Sequence, residues 1–454
     1  MAEDRITAYR EAYAKLKAHP QGPFTEGQPA IFSPAAAAQD EHNGRSAVKR
    51  FGPQFLVNEF TNWVEEASAH VVSAYLGDWS PLAKVVVSGP DALAFLSRLG
   101  MNDLSAFEIG QIKHHVQLDE HGWVASEGIL LRRGEQEFQY TAGSAEWLLW
   151  QLRSGEWDAT ALDISPDRFI FGVQGPQSIH VLEQVLGESI RDIRFNRSRA
   201  AELGGIPVEL LRTGISGELG YEIHGPSDRA AEVWRTVRDA GAGFGLKELG
   251  LRAQSVQHIE SGIATNGLDF MPASILSPGA PWQFKNGGIE GSFVASAFTD
   301  YFRRPAELGW DVRGDFGHDF IGRAALLAER DAGGSRRVFA GLVWNSEDVA
   351  GVLTAALDAD GEIPEPMELP RLQGPTFDTV LVDGEPVGVS SGRALSPTLR
   401  TTISLVTIDR AHAAAGTEVR VLWGRPGSPQ REIRAVVAAP PFKPDHRRVD
   451  VATL

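Results

Sequence analysis

Apolar residues along this chain fall into short runs and alternations whose character changes twice. At the start, Ile6, Tyr9, Tyr13 and Leu16 recur at helical spacing, so residues 1–50 read as a short amphipathic helix and then a small-residue, polar stretch through Pro34, Ala35 and Asn43. We expect this segment to be an arm laid on the main body. From Phe60 the apolar pattern becomes dense. Residues 84–89 have the length and composition of a buried strand, and Pro90 opens a helix over 90–99. The theme returns with a strand over 168–173, ended by Gln174-Gly175-Pro176, and a helix over 179–186. Strands are expected at 208–212 and 221–224, joined by the turn 213–217, with a helix over 230–240. A Gly-Pro closes two of these strands, at Gly89-Pro90 and Gly175-Pro176, which points to an internal duplication.

The second change comes near Arg336. Short strands over 338–344, 377–382, 386–390, 404–408 and 418–423 follow, with frequent turn residues and few helical stretches. That spacing predicts an antiparallel barrel or sandwich. Beyond Pro440-Pro441 the tail is expected to be extended.

Length and charge narrow the function. The 454 residues imply several folded units, at roughly 150 residues each. A formal charge of −16 argues against nucleic acid or an anionic membrane as partner, because both require a basic face. There is no cysteine, which excludes disulfides, thiolate metal sites and cysteine nucleophiles. The acidic start lacks the basic and apolar regions of a signal peptide, and no apolar run reaches the ~18 residues of a membrane span. A cytoplasmic protein is expected, with no evident need of a protein partner.

Several familiar patterns fail on inspection. Gly214-Ile215-Ser216-Gly217-Glu218-Leu219-Gly220 has neither dinucleotide-fingerprint nor P-loop spacing and sits between two strands. Asp315-Phe316-Gly317 copies a kinase tripeptide without its partners. His114-His115 and the His258/Glu260 pair lack a third ligand at metal spacing, so no metal site is expected. What remains is a set of carboxylates and amides beside glycine: Glu222 after the Gly-rich turn, Gln174 at a strand end, and Glu127 before Gly128. Each alone reads as a solvated turn residue. Together they suit a ligand with an amidine-like edge, such as a pterin, which a carboxylate grips by two parallel hydrogen bonds.

Longer segments carry a resemblance. Thr213-Gly214-Ile215-Ser216-Gly217-Glu218-Leu219-Gly220-Tyr221-Glu222-Ile223 resembles the YTGEDGxEI segment of the glycine-cleavage T-protein family. Leu308-Gly309-Trp310 with Asp319-Phe320-Ile321-Gly322-Arg323-Ala324-Ala325-Leu326 resembles its LGW and DFIGRxAL segments. Val387-Gly388-Val389-Ser390-Ser391-Gly392 and Gly416-Thr417-Glu418-Val419 resemble its C-terminal domain. The resemblance implies an α+β fold with two folate-binding subdomains and a C-terminal antiparallel β-barrel. We accordingly expect an arm over 1–54, a folate-binding unit over 55–335, a barrel over 336–443 and a tail over 444–454. It also implies tetrahydrofolate as co-substrate, with Gln174, Tyr221, Glu222, Arg252 and Glu260 on the cofactor side.

Within that family, Gly291-Ser292-Phe293-Val294, Asp300-Tyr301-Phe302 and Val421-Leu422-Trp423-Gly424 are similar to the vanillate-type aryl-ether O-demethylases. The departures from that branch are informative. Where those enzymes have a Tyr important for methyl transfer, this chain has Gln254. An Arg that holds the aromatic carboxylate falls at Gly143, and a Trp falls at Ile263. Without the Arg, a buried carboxylate would be unpaired, which is very costly, so the small-molecule aromatic ether is expected to be neutral. A neutral substrate on this branch resembles that of the sesamin-metabolising methylene transferases, which take the methylenedioxy carbon of a lignan. Glu127 and His258 are then the candidate acids, with Gln254 positioning the ether oxygens. The rivals are an O-demethylase of a neutral methoxyaromatic and a non-catalytic folate-binding protein; the resemblance leads one to expect a Cys-bearing signature in the latter.

Overall fold

The computed structural model describes residue 11 and residues 31–43, 47–277, 288–310, 316–367 and 375–454. The helix expected from Ile6 to Leu16 lies outside the described residues, Glu11 apart. What is described of the arm packs on the body: the short helix Ala36–Gln39 places Ala35 and Ala38 in the same apolar core as Trp234 and Phe171.

Two sheets form the body, with a closed barrel behind them. The first has six strands in the order Ser198–Leu203, Ile206–Leu211, Gly220–Pro226, Arg168–Gln174, Tyr75–Asp78 and Lys247–Leu249. The second has five, in the order Ile112–Leu118, Val124–Arg132, Glu137–Ala142, Ala83–Ser88 and Thr160–Asp163. Strand Arg168–Gln174 is buried almost throughout because both of its faces are covered. Phe169, Phe171 and Val173 pack under the helices Ser178–Leu186 and Ala230–Gly241, while Ile170 packs on the opposite side.

The duplication read from the two Gly-Pro pairs has a physical counterpart. Gly89 and Gly175 both have positive φ, 134° and 129°. At each, a Cβ would strike the backbone of a neighbouring segment, 2.5 Å from the Asp158 carbonyl oxygen and 2.6 Å from that of Ser73. Each sheet thus uses the same device: a strand ends in a glycine pressed against the chain that enters the adjacent strand, and a helix begins.

The barrel closes in the order Arg337–Trp344, Thr401–Asp409, Glu385–Ser396, Asp378–Val382, Glu418–Trp423 and Arg431–Ala438. The first five strands answer to the expected runs. The sixth was not among them; its apolar side is only Ile433, Ala435 and Val437 against four charged or exposed neighbours, a weak alternation. Inside the barrel the Arg393 guanidinium pairs with Asp378 at 3.0 Å and lies 4.3 Å from the Trp423 ring centroid, so the buried charge is both paired and covered. No described helix is long and apolar enough to cross a membrane.

Candidate active site

Register decides which side chains face the space between the two sheets. On the first sheet Leu211, Glu222, Gly172 and Gly77 are successive cross-strand partners and therefore share one face. Gly220, Gln174 and Tyr75 form the next row on that face. Gln174 is buried, and its Oε1 accepts from Ser216 N at 3.1 Å. The Gly-rich turn exists for this amide: a Cβ at Gly214 would lie 2.1 Å from Gln174 Nε2, and one at Gly220 2.6 Å from its Cγ. Glu222 keeps part of its carboxylate exposed, and Oε2 lies 2.9 Å from His224 Nε2. Tyr75 is fully buried near Ser216 and Glu222; burial pushes its hydroxyl well above the ordinary tyrosine pKa against a lowering hydrogen bond with Ser216, and the nearby Glu222 carboxylate adds to the rise.

The second sheet supplies the facing wall. His114, Ile129, Thr141 and Lys84 are partners in one row, and Glu127 stands two residues before Ile129 on the same face. His114 Nε2 lies 3.0 Å from Glu127 Oε2, and its ring meets Trp310 edge-on at 4.9 Å. His114 also lines a cavity of about 730 Å³ together with Lys113, Arg197, Phe316 and Arg448. The two walls touch where Gln139 Nε2 reaches His224 Nδ1 at 3.3 Å and where Leu211 packs on Ile112 and Leu131.

The third side is the helix Leu251–Glu260, wedged between the helix Trp63–Val72 and the barrel. Gln254 is half-buried on it and its side chain makes no hydrogen bond with a described residue. His258 is buried, with Nε2 3.5 Å from Asp269 Oδ2. Asp269 is in turn held by Thr265 N at 2.7 Å and Ser391 Oγ at 3.0 Å. One turn from Gln254, the fully buried amide of Gln257 has no partner among the described residues at either end. An orphaned buried amide and a carboxylate that keeps a small part of its surface exposed are what a polar heterocycle would satisfy, so these residues fit a folate.

The remaining expected residues sit elsewhere. Tyr221 is carried to the opposite face of its strand, into the helix-covered core, where burial raises its pKa to about 12. Glu260 is fully buried and accepts from Ser396 Oγ at 2.6 Å and Thr398 Oγ1 at 2.7 Å. Arg252 pairs with Glu59 at 3.0 Å and lies over the Trp63 ring. Gly143, where the resemblance leads one to expect an Arg, is exposed, and a Cβ placed there would meet nothing within 4 Å.

Sequence reasoning overlooked His114 as a partner of Glu127. The available signal was alternation: in the strand opposite Glu127, His114 shares its face with Ile112, Val116 and Leu118 and is the one polar residue among them.

Two α+β layers and a closed barrel flank the polar cleft of a chain whose relatives are tetrahydrofolate-dependent one-carbon transferases. Residues 33–274 match the GCVT N-terminal domain family, and the chain belongs to that family, whose aminomethyltransferases and O-demethylases use tetrahydrofolate as one-carbon acceptor. It is 35% identical over 427 residues to a sesamin methylene transferase of Sinomonas sp., covering 88% of this chain and 93% of that one. It is 31% identical over 417 residues to a syringate O-demethylase of Sphingobium sp., covering 85% and 89%. The fold matches the crystal structure of aminomethyltransferase T from Bartonella henselae with a TM-score of 0.69 at 19% identity, covering 92% of this chain and 99% of that chain. The α+β architecture with a C-terminal barrel and the tetrahydrofolate dependence expected from the sequence are thereby established.

Proposed function

We propose that this protein transfers the methylenedioxy carbon of a neutral aromatic ether, of the lignan class that includes sesamin, to tetrahydrofolate, releasing a catechol and 5,10-methylenetetrahydrofolate. The observation that carries the chemistry is the Glu127–His114 pair on the wall facing Glu222. One wall grips the pterin edge while the other offers a proton to an ether oxygen. Sequence kinship with the Sinomonas methylene transferase supports the substrate class, and the open space at Gly143 supports an aryl group without a carboxylate.

The reaction balances without an oxidant. Two C–O bonds break and two C–N bonds form at the same carbon, and the protons released from N5 and N10 end on the two phenolic oxygens. Protonating a leaving phenoxide is worth about 10²–10⁴-fold. Glu127 is the donor in this reading, with His258 as the second candidate and Gln254 orienting the ether oxygens from the helix. Gln174 and Glu222 bind the pterin. Tyr221, Arg252 and Glu260 support that site from behind.

A second reading, an O-demethylase yielding 5-methyltetrahydrofolate, draws support from the 31% identity to the syringate enzyme. Incubation with tetrahydrofolate and sesamin, beside guaiacol, with mass spectrometry of the folate and phenol products, separates the two. Methylene-folate and a new catechol from sesamin are expected; methyl-folate from guaiacol alone sinks the methylenedioxy reading.

A further inference from the structure

The row that contains Glu222 is asymmetric. On one side comes Leu211, which is buried against Ile112 and Leu131, with Ser198 beyond it. On the other side come two glycines, Gly172 and then Gly77. Their missing side chains are replaced by one ring: a Cβ at Gly77 would lie 2.3 Å from the six-membered ring of Trp79, and one at Gly172 2.9 Å from it. The indole therefore rests on the two glycines immediately beside Glu222. Tyr75 stacks against it, with ring centroids 5.8 Å apart and planes 28° apart.

The turn that presents Trp79 is held by unusually expensive means. Its backbone N donates to Ile170 O at 2.9 Å, and Asp78 Oδ1 accepts from Ser80 N at 2.9 Å. Lys84, without exposed surface, donates its amine to Ser80 O at 2.8 Å and Leu82 O at 2.7 Å. A fully buried lysine amine is a costly way to hold two carbonyls unless the turn's position matters.

We propose that Trp79 is the platform on which the pterin ring of tetrahydrofolate packs once Glu222 holds its amidine edge. This rests on the reading of the cleft as the folate site. Strands lie ~4.8 Å apart, so a bicyclic ring anchored at Glu222 must reach over the neighbouring positions of its row. Leu211 closes one direction. In the other it meets Trp79, which packs beside Tyr75 and Ile170 and keeps 9% of its surface exposed, an aromatic ring suited to a flat, nitrogen-rich heterocycle. Lys84 is a positioning residue for that platform.

Isothermal titration of tetrahydrofolate without aryl ether, into the full-length protein and its variants, tests the assignment. Trp79→Leu should raise the dissociation constant about tenfold, in the range of heterocycle–aromatic stacking. Trp79→Phe should stay within about threefold, by the smaller change in ring stacking. Gly172→Ala, which pushes the indole off its seat while keeping it in the protein, should weaken binding like Trp79→Leu. The quench of tryptophan fluorescence on folate binding should shrink in Trp79→Phe. Thermal midpoints accompany each variant, so that loss of fold is not mistaken for loss of platform. Unchanged folate affinity in a folded Trp79→Leu overturns the proposal, as does a rise confined to the KM of the aryl ether. A wild-type protein that binds no tetrahydrofolate overturns the folate reading of the cleft itself.

Discussion

Glu222 and His224 stand two residues apart on one face of the same strand, with carboxylate Oε2 2.9 Å from ring Nε2. The other ring nitrogen lies 3.3 Å from Gln139 Nε2 on the opposite sheet. A neutral imidazole protonated at Nε2 satisfies both contacts, donating to Glu222 and accepting from Gln139. The second sheet thereby fixes the orientation of a carboxylate on the first, and it leaves Oε1 of Glu222 without a described partner.

Replacing Glu222 by Gln should therefore act on folate and not on the fold. The amide oxygen can still accept from His224, but the charge that binds the pterin edge is gone. Charge-assisted hydrogen bonds are worth ~1.5–3 kcal/mol, so the dissociation constant for tetrahydrofolate should rise about 10–100-fold. Titration calorimetry reads this directly, with a thermal midpoint near that of the wild type.

Glu127→Gln should show the opposite signature. If Glu127 supplies the proton, kcat at saturating substrates falls by ~10²–10⁴-fold while folate affinity holds. His114→Gln should fall less, because it removes the group that orients the acid and leaves the acid itself. Stopped assays with quantification of the catechol measure both. A Glu127→Gln enzyme that keeps kcat within threefold would move the role to His258.

Much of the fold was legible because apolar runs of strand length stood between glycine and proline, as at 84–89 and 168–173. The closed barrel was less so: its sixth strand, Arg431–Ala438, presents alanine and valine where longer apolar residues would have marked it. For the site, proximity to glycine drew attention to Gln174 and Glu222 separately, and the structure adds that Gly214 and Gly220 of one turn make room for the Gln174 amide. Face was harder. Tyr221 adjoins Glu222 in sequence, yet the period of two in a strand sends it to the other side. His114 was read beside His115, but those two point to opposite faces: His114 reaches Glu127, and His115 bonds the Leu96 carbonyl in the core. Which sheet faces which was not available from local pattern at all, because it depends on pairings between strands far apart in the chain.

Buried Lys84 gives stability a dependence on alkaline pH. Burial pulls its pKa from the ordinary lysine value of 10.5 to about 7, against the pull of Asp163 and Asp78. Between pH 7 and 10.5 the unfolded chain holds a proton that the folded one has lost, so this group's contribution improves as pH rises through that window. Below pH 7 the full cost of burying the charge applies. Lys84→Met lacks the effect. The stability difference between wild type and variant should therefore shift toward the wild type from pH 7 to 9.5, with a slope approaching about 1.4 kcal/mol per unit. Urea midpoints at pH 7, 8.5 and 9.5 test it, and a flat difference would place the amine in contact with solvent.

Glu260 joins three elements that no single strand connects. Its Oε2 lies 2.9 Å from Nε2 of His70 on the helix Trp63–Val72, and its Oε1 takes the hydroxyls of Ser396 and Thr398 at the barrel's edge. Its backbone oxygen accepts from Phe442 N at 2.9 Å. Burial pushes the carboxyl pKa up, but the His70 bond and charge with the two hydroxyls outweigh it and hold the pKa below the usual value. Because the folded pKa is depressed, the stabilisation is present above the ordinary glutamate range and is lost as pH falls through the folded value. Glu260→Gln leaves a buried imidazole facing a neutral amide, and breaking a buried pair on one side costs ~3–5 kcal/mol. The variant should unfold at markedly lower urea at pH 7.5, and the gap to wild type should narrow in acid. At a temperature where it is folded, it should bind tetrahydrofolate within about threefold of the wild type, since any effect on the cleft passes through the helix and not through contact. Tenfold weaker folate binding at unchanged stability would instead show that this carboxylate reaches the cofactor.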